Sequence, residues 1–309
     1  MSLPKVSVII PAYNAQSTIG KTIESVFDQS YSNLEIIVIN DGSTDQTPEI
    51  LKKYGDKITL VSTENKGVSH ARNLGIKYAS GDYIQYLDSD DLLMPHKIKW
   101  QVSHLLANDA DVAYGNWESF IEESGQIVIK ETITKRLKGD IEVEIFTDFW
   151  CPPAVLLYAK KITDKLHWNI KLPVIQDARY LLDSALAKGK FVYVPEIMAR
   201  YRTAQETSLS QKSEKAFVMD CFTNAKEVYE IWSSNLTSQK KRAIISVLRY
   251  IVNRLGILAP SFAKEAIELI LKIEPNYAPP QKGVLRSLSL LIGYKNAEKI
   301  ASLKRRFVK

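Results

Sequence analysis

Short apolar runs alternate with helical periodicity through the first third of the chain. Residues 5–10 and 34–39 are continuous apolar runs, the mark of strands buried on both faces. The first is expected to stop at Pro11 and the second at Asn40-Asp41-Gly42. Residues 58–62, 83–87 and 111–114 read as further strands. Between them, Ile19, Ile23, Val26 and Phe27 recur at helical spacing, which predicts a helix over 15–29. Helices follow over 43–54, with Ser43 or Thr44 as N-cap, over 67–79, and over 95–107 with a proline at the start. Strands alternating with helices predict an α/β class: a mostly parallel sheet covered by helices. In such sheets ligands bind beyond the carboxyl ends of the strands, where Asn14, Asp41 and Asp88 all fall.

The pattern then loosens. Over 117–150 a strand is expected only at 127–133. Residues 154–158 are strand-like, 177–188 helical, and 191–194 a strand closed by Pro195. Beyond Ser213 the periodicity is all helical, over 214–234, 238–255 and 261–273, with two weaker segments at the end. The polar stretch 203–213 marks a boundary, giving an α/β domain over 1–210 and a helical C-terminal region over 211–309.

Composition is that of a globular protein, 45% hydrophobic and 25% charged. Cys151 and Cys221 have no metal-type spacing and read as reduced thiols of a cytoplasmic protein. His70, His96, His104 and His167 lack zinc-enzyme spacing. The chain starts without the pattern of a secretory signal, and no apolar run reaches the ~18 residues of a membrane span. The net charge of +6 is unevenly placed. Residues 210–309 carry 18 Lys+Arg against 8 Asp+Glu, or +10, and the remainder 23 against 27, or −4. A basic helical region suits phosphate-rich partners or peripheral contact with the inner face of an anionic membrane, or is a solvated lysine-rich face. A nucleic-acid partner is not expected.

Candidate chemistry concentrates where the strand over 83–87 ends in Asp88-Ser89-Asp90-Asp91. Carboxylates packed so tightly repel one another unless a cation sits among them, and oxygen ligands suit Mg²⁺ or Mn²⁺ shared with substrate phosphates. The competing reading is a solvated turn that caps the next helix. Asp41 stands where a carboxylate could accept from a base N–H, or it holds a turn. Asn65 and Gly67 punctuate a turn before Arg72, a cation for phosphate or for a neighbouring carboxylate. No GxGxxG follows the first strand and no GxxxxGK(S/T) occurs, which argues against a nicotinamide dehydrogenase or a P-loop NTPase.

Three segments together resemble the nucleotide-sugar-binding half of family 2 glycosyltransferases: VSVIIPAYNA (6–15), EIIVINDGSTDQT (35–47) and NKGVSHARNLGIKYASGDYIQYLDSDD (65–91). The resemblance implies the GT-A fold and an inverting transferase. It implies that Asp41 recognises the base, usually uracil, and that Asp88-Ser89-Asp90 is the DxD motif. Asp88 would then contact the ribose, or the metal through water, and Asp90 would ligate Mn²⁺ or Mg²⁺. Arg72 would help to hold the nucleotide, and Pro11, Ala12, Tyr13 and Asn14 would line its pocket. On the acceptor side, Asp177 aligns with the catalytic base. Gln176 stands where the family usually has Glu, and Ala204 replaces the His of the Tyr201-Arg202 segment. Local sequence alone also allows Asp177 to be a helix N-cap. Processive members carry QxxRW and membrane spans; neither is present here, so a transferase adding one sugar per encounter is expected.

Such a transfer needs a metal to stabilise the departing diphosphate and a carboxylate to take the acceptor's proton. The expected partners are a nucleotide-sugar donor and a glycan or lipid-linked acceptor. Two other classes compete. A phosphatase-like hydrolase also places DxD after a strand, but near the start of the chain and without a third Asp. A non-catalytic nucleotide-sugar-binding or scaffold protein of the same fold would explain Gln176 and Ala204.

Overall fold

The computed structural model describes residues 3–203 and 213–307. The chain divides into two compact units, Met1–Ser208 and Leu209–Lys309. Ala204 lies outside the described residues, as does Glu206, which with Glu196 is an alternative candidate for the base.

Among the described residues of the first unit, nine strands form one sheet. They are β1 Val6–Ala12, β2 Leu34–Asp41, β3 Thr59–Thr63, β4 Tyr83–Tyr86, β5 Leu92–Leu93, β6 Val112–Glu123, β7 Gln126–Ile133, β8 Leu157–Ala159 and β9 Phe191–Arg202. The order is β3-β2-β1-β4-β8-β6-β9-β5, with β7 paired to β6. The half β3-β2-β1-β4 is wholly parallel. The other half is mixed: β8 runs against both β4 and β6, β9 runs with β6, and β5 against β9. Most strands therefore point one way. Flanking helices are α1 Ile19–Phe27, α2 Thr47–Lys52, α3 Val68–Gly75, α4 Lys97–Asn108, α5 Ile141–Thr147, α6 Lys160–Thr163 and α7 Gln176–Leu186. The continuous apolar runs of β1 and β2 are buried, as two-sided coverage requires.

Two prolines expected to end strands do not. β1 runs through Pro11 to Ala12. Leu87 N donates to Ile9 O at 3.0 Å, so the peptide groups of alternate residues, Ile9 and Pro11, face β4. Pairing with β4 ends at Ile9↔Tyr86, so the missing N–H of Pro11 points where no ladder continues. In β9, Gly115 pairs with Val194 and Asn116 with Ile197, so Pro195 and Glu196 are accommodated in a bulge and the strand goes on to Arg202. β6 is also longer than expected. It forms a hairpin with β7 across Ser124-Gly125, both at positive φ (49° and 79°), the backbone of a type I′ turn. The first two helices are shorter than their periodicity. Neither Ser43 nor Thr44 caps α2; Ser43 Oγ accepts from Asn14 N instead, at 3.0 Å.

Buried polar side chains shape the mixed half. Lys97 Nζ donates to Leu156 O at 2.9 Å, Gln101 Nε2 to Val155 O at 2.8 Å, and Gln85 Nε2 to Pro153 O at 3.2 Å. All three side chains are fully buried. They satisfy carbonyls of an irregular segment that no ladder serves, and so fix the path of the chain just after Trp150.

The second unit is helical: α8 Glu214–Trp232, α9 Ser238–Leu258, α10 Pro260–Ile273, α11 Val284–Ile292 and α12 Tyr294–Phe307. Ser213 and Thr237 cap α8 and α9 through their side-chain oxygens, and α10 begins with a proline. Its core is the apolar face of α9 (Leu248, Ile251, Val252, Leu255) with Ala266 and Ile270.

Candidate functional site

The carboxyl edge of the parallel half is laced together by side chains that bind main chain. Pro11 and Ala12 are buried at the end of β1, while Tyr13 is half exposed. Asn14 is left-handed (φ 48°), and its Oδ1 accepts from Thr44 N at 2.8 Å. Asp41, at the end of β2 and 3% exposed, accepts from Lys66 N at 2.9 Å through one oxygen and Gly67 N at 2.8 Å through the other. The carboxylate thereby holds the turn of Asn65 and Gly67, and each oxygen keeps a second acceptor direction. The turn is packed tightly on β2: a Cβ at Gly42 would lie 2.6 Å from Asn65 N. Gly67 (φ 90°) opens α3, which delivers Arg72.

Beyond β4 the chain turns sharply through Asp88-Ser89-Asp90-Asp91, closed by Asp91 N donating to Asp88 O at 3.1 Å. The guanidinium of Arg72, 1% exposed, pairs with Asp88 and lies 4.1 Å from the Trp168 ring centre. Its Nε and Nη1 are buried with no hydrogen-bond partner among the described residues. A buried cation with two unmatched donors is costly. Asp91 turns inward and is fully buried. Its Oδ1 accepts from Arg202 N at 2.9 Å, and Oδ2 has no partner among the described residues. Burial first, then the charges of Asp90 and Asp88, push its carboxyl well above the usual range. Arg202 also donates to Asp90 O at 3.0 Å and to Glu122 at 3.3 Å, which ties the end of β9 to the acidic turn.

Asp177 sits in the first turn of α7, two residues too far in to be its N-cap, which is Ile175. Its Oδ2 accepts from the Trp150 indole N–H at 2.8 Å and its Oδ1 from Ala178 N at 2.8 Å. Burial raises its pKa. Those two hydrogen bonds and the Arg72 charge pull it down, and Asp88 adds to the rise. Gln176 is buried beside it. The phenol of Tyr201, 5.6 Å from Trp150 between ring centres, is raised by burial and then by Asp91, Asp88, Asp177 and Asp90. Trp150 touches both Asp177 and Tyr201, and Arg202, next to Tyr201, binds Asp91 and Asp90, so the base candidate and the acidic turn share a neighbourhood although 86 residues separate Asp91 from Asp177. Beneath them Trp168 stacks on Tyr180 at 4.1 Å, and Tyr86 meets both edge-on.

Sequence reasoning passed over Trp150, Trp168 and Asn73, and took Arg202 only as a motif letter. Asn73 exchanges two hydrogen bonds with the main chain of Trp168, at 2.8 and 2.9 Å, and so holds the indole over Arg72. The one signal was two tryptophans in stretches with no clear periodicity, where large aromatics have no element of their own to pack.

No group of three or more His, Cys, Asp or Glu able to hold a metal ion occurs among the described residues. The donor set nonetheless fits one kind of cation. Asp88 and Asp90, partly exposed at a strand end, suit Mn²⁺ or Mg²⁺ that keeps waters and takes substrate phosphates as further ligands, rather than an all-protein cage.

Comparison with known proteins bears on the family and the fold. The profile of glycosyl transferase family 2 matches residues 7–166. WfgD of Escherichia coli, a UDP-Glc:alpha-D-GlcNAc-diphosphoundecaprenol beta-1,3-glucosyltransferase, is 41% identical over 133 residues, which are 42% of this chain and 53% of WfgD. Across eight curated relatives that it matches, the chain spans between 18% and 56% of their length. Among solved structures, Staphylococcus aureus TarS (residues 1–349) in complex with UDP shares the fold, with a TM-score of 0.68 and 17% identity over 99% of this chain and 92% of that one. The mannosyltransferase PcManGT from Pyrobaculum calidifontis, solved with GDP-Man and Mn²⁺, does so at a TM-score of 0.54 and 15% identity, over 97% and 87%. These neighbours are GT-A glycosyltransferases. A profile spanning more than half of the chain, on a sheet whose acidic turn stands at its carboxyl edge, shows that the chain belongs to glycosyl transferase family 2.

Proposed function

We propose that the protein is an inverting, non-processive glycosyltransferase that moves a sugar from a UDP-sugar to a hydroxyl of a glycan or lipid-linked acceptor in cell-surface polysaccharide synthesis. The observation that carries this reading is the chain of contacts by which Arg72 pairs with Asp88, Arg202 binds Asp90 and Asp91, and Trp150 joins Tyr201, beside Arg202, to Asp177. UDP fits on two grounds: WfgD is named for a UDP-Glc donor, and TarS was solved with UDP and with UDP-GlcNAc. The undecaprenol-linked acceptor in WfgD's name supports a lipid-linked acceptor here, met by a cytoplasmic protein at the inner face of the membrane.

Each residue has a task in this reading. Pro11–Asn14, Asn65 and Gly67 line the nucleotide pocket, with Asp41 accepting from the base. Arg72 holds Asp88 in place and brings positive charge to the diphosphate end of the site. Asp88, Ser89 and Asp90 face ribose and diphosphate, and Mn²⁺ or Mg²⁺ would be held by Asp88 and Asp90. When bound, such a cation neutralises charge on the leaving diphosphate. Asp177 takes the proton of the acceptor hydroxyl as it attacks. Burial makes it a stronger base than an exposed carboxylate, and the Trp150 indole keeps it ionised and aimed. Nucleotide and base come from opposite halves of the sheet, which suits attack from the face away from the leaving group.

A nucleotide-sugar screen by thermal shift tests this, run with Mn²⁺ or EDTA on the wild type and on Asp90→Ala. Ligand at a hundred times its Kd stabilises the native state by about 2.7 kcal/mol, so the donor reveals itself without the acceptor. UDP and one UDP-sugar are expected to stabilise the wild type with Mn²⁺ only, and Asp90→Ala under neither condition. Equal stabilisation in EDTA and in the variant removes the metal from the site. No response to any nucleotide diphosphate sinks the reading as a whole.

A further inference from the structure

The most unusual surface of the second unit is α11, whose solvent side is its greasy side. Val284 is 76% exposed, Leu290 65% and Leu291 80%. At about 100° per residue these three share one flank of the helix with Ser287. On the opposite flank Ser289 is buried, its Oγ donating to Leu285 O at 2.6 Å. A helix that belonged only to this unit's core would be turned the other way. Gly293 (φ 80°) then turns the chain into α12, which packs on α11. The inward face of α12 is anchored by Tyr294 and Glu298, both bound to Arg249 of α9. Its outward face carries Ile300, 49% exposed, and Leu303, 55% exposed, beside exposed Lys299.

Charge identifies the partner. Residues 275–309 hold eight Lys or Arg and one acid, Glu298. Glu298 is buried against Arg249, so the exposed charge here is basic. A second copy of the chain would bring the same basic surface against itself, whereas an anionic bilayer complements both the charge and the apolar face. Nine residues of α11 are far too few for a span, which needs ~20, so the helix would lie in the plane of the interface.

We propose that α11 and the outer face of α12 form a docking surface for an anionic lipid bilayer. Val284, Leu290, Leu291 and Leu303 enter the boundary between headgroups and acyl chains, and Lys282 and Lys299 meet lipid phosphates. This goes beyond the transferase reading and does not depend on it, because neither donor nor acceptor is needed.

Sedimentation of the full chain with vesicles tests the proposal. Vesicles of phosphatidylcholine with phosphatidylglycerol are compared with phosphatidylcholine alone, at low and high salt. Binding is expected to the anionic vesicles at low salt, to weaken at least several-fold in high salt, and to be absent on neutral ones. Leu290→Ser with Leu291→Ser, and separately Lys282→Glu with Lys299→Glu, should each weaken binding by about tenfold or more. These side chains are exposed, so unfolding temperatures should match the wild type. No sedimentation with anionic vesicles at low salt overturns the proposal, as do both variants binding like the wild type. Concentration-dependent dimerisation lost in the leucine variant, without vesicle binding, overturns it in favour of a second copy.

Discussion

Asp41, in the parallel half of the sheet, is held by main-chain N–H groups of the next turn, whereas Asp177, in the mixed half, is held by the Trp150 indole 27 residues earlier. The same contrast runs through the whole site. On the parallel side Asn14, Asp41, Asp45 and Thr47 all bind backbone of neighbouring loops. Short βα loops bring those groups together as soon as the strands pair, so the ligand edge follows from local chemistry and strand order. On the mixed side Trp150, Trp168, Asp177 and Tyr201 come from four separate segments. They meet because buried Lys97, Gln101 and Gln85 fix one loop and Asn73 another. The first half is thus a cradle built mainly of backbone, and the second a wall of rings whose members depend on each other. Donor binding should therefore be robust to changes in the wall, and turnover should not.

The largest expected effect separates the halves outright. Asp177→Asn keeps the size of the side chain and can still accept from Trp150 or Ala178, but it cannot take a proton. Turnover should fall by about 10²–10⁴-fold or more while UDP affinity stays near the wild-type value. Affinity and transfer rate must be measured on the same preparation. Near-normal turnover moves the base elsewhere, with Glu196 or Glu206 next in line, and lost UDP binding would put Asp177 in the nucleotide site.

Asp41→Ala probes the cradle. UDP binding should weaken by about 1.5–3 kcal/mol, the value of a hydrogen bond to a charged group, with kcat little changed at saturating donor. An unchanged Kd by calorimetry would leave Asp41 as the holder of the 65–67 turn alone. Smallest is Trp150→Phe, which removes the indole N–H and keeps a ring beside Tyr201. The lost hydrogen bond lowered the Asp177 pKa, so that pKa rises further. The base must be ionised to act, so the acidic limb of the rate profile should move to higher pH. On the plateau, turnover should fall about tenfold or less, and UDP affinity should hold. An unmoved limb would show that Trp150 does not touch the working base.

Much of the parallel half was legible because its signals are local. The runs of β1 and β2, the turn Asn40-Asp41-Gly42 and the acidic end of β4 each declare themselves within a few residues. The prolines misled: whether a missing N–H ends a strand depends on whether a ladder needs it there, and Pro11 faces β4 past the last paired residue while Pro195 falls in a bulge. The Ser124-Gly125 hairpin was half readable: its β7 strand was expected at 127–133, and what was missed was the length of β6 leading into the turn.

By itself, the sequence determined the α/β class, the edge at which ligands would gather, the family and the basic character of the C-terminal third. Each follows from residue type at short spacing, which strand and helix periodicity convert directly into faces and ends. Only the tertiary structure decided that Arg72 is buried under Trp168 with two donors unmatched, that Asp91 turns inward while Asp88 and Asp90 do not, and that Trp150 holds Asp177. It alone decided that α11 turns its leucines outward. These are matters of burial and of contact across long separations, and a pattern of letters carries neither until the chain is packed.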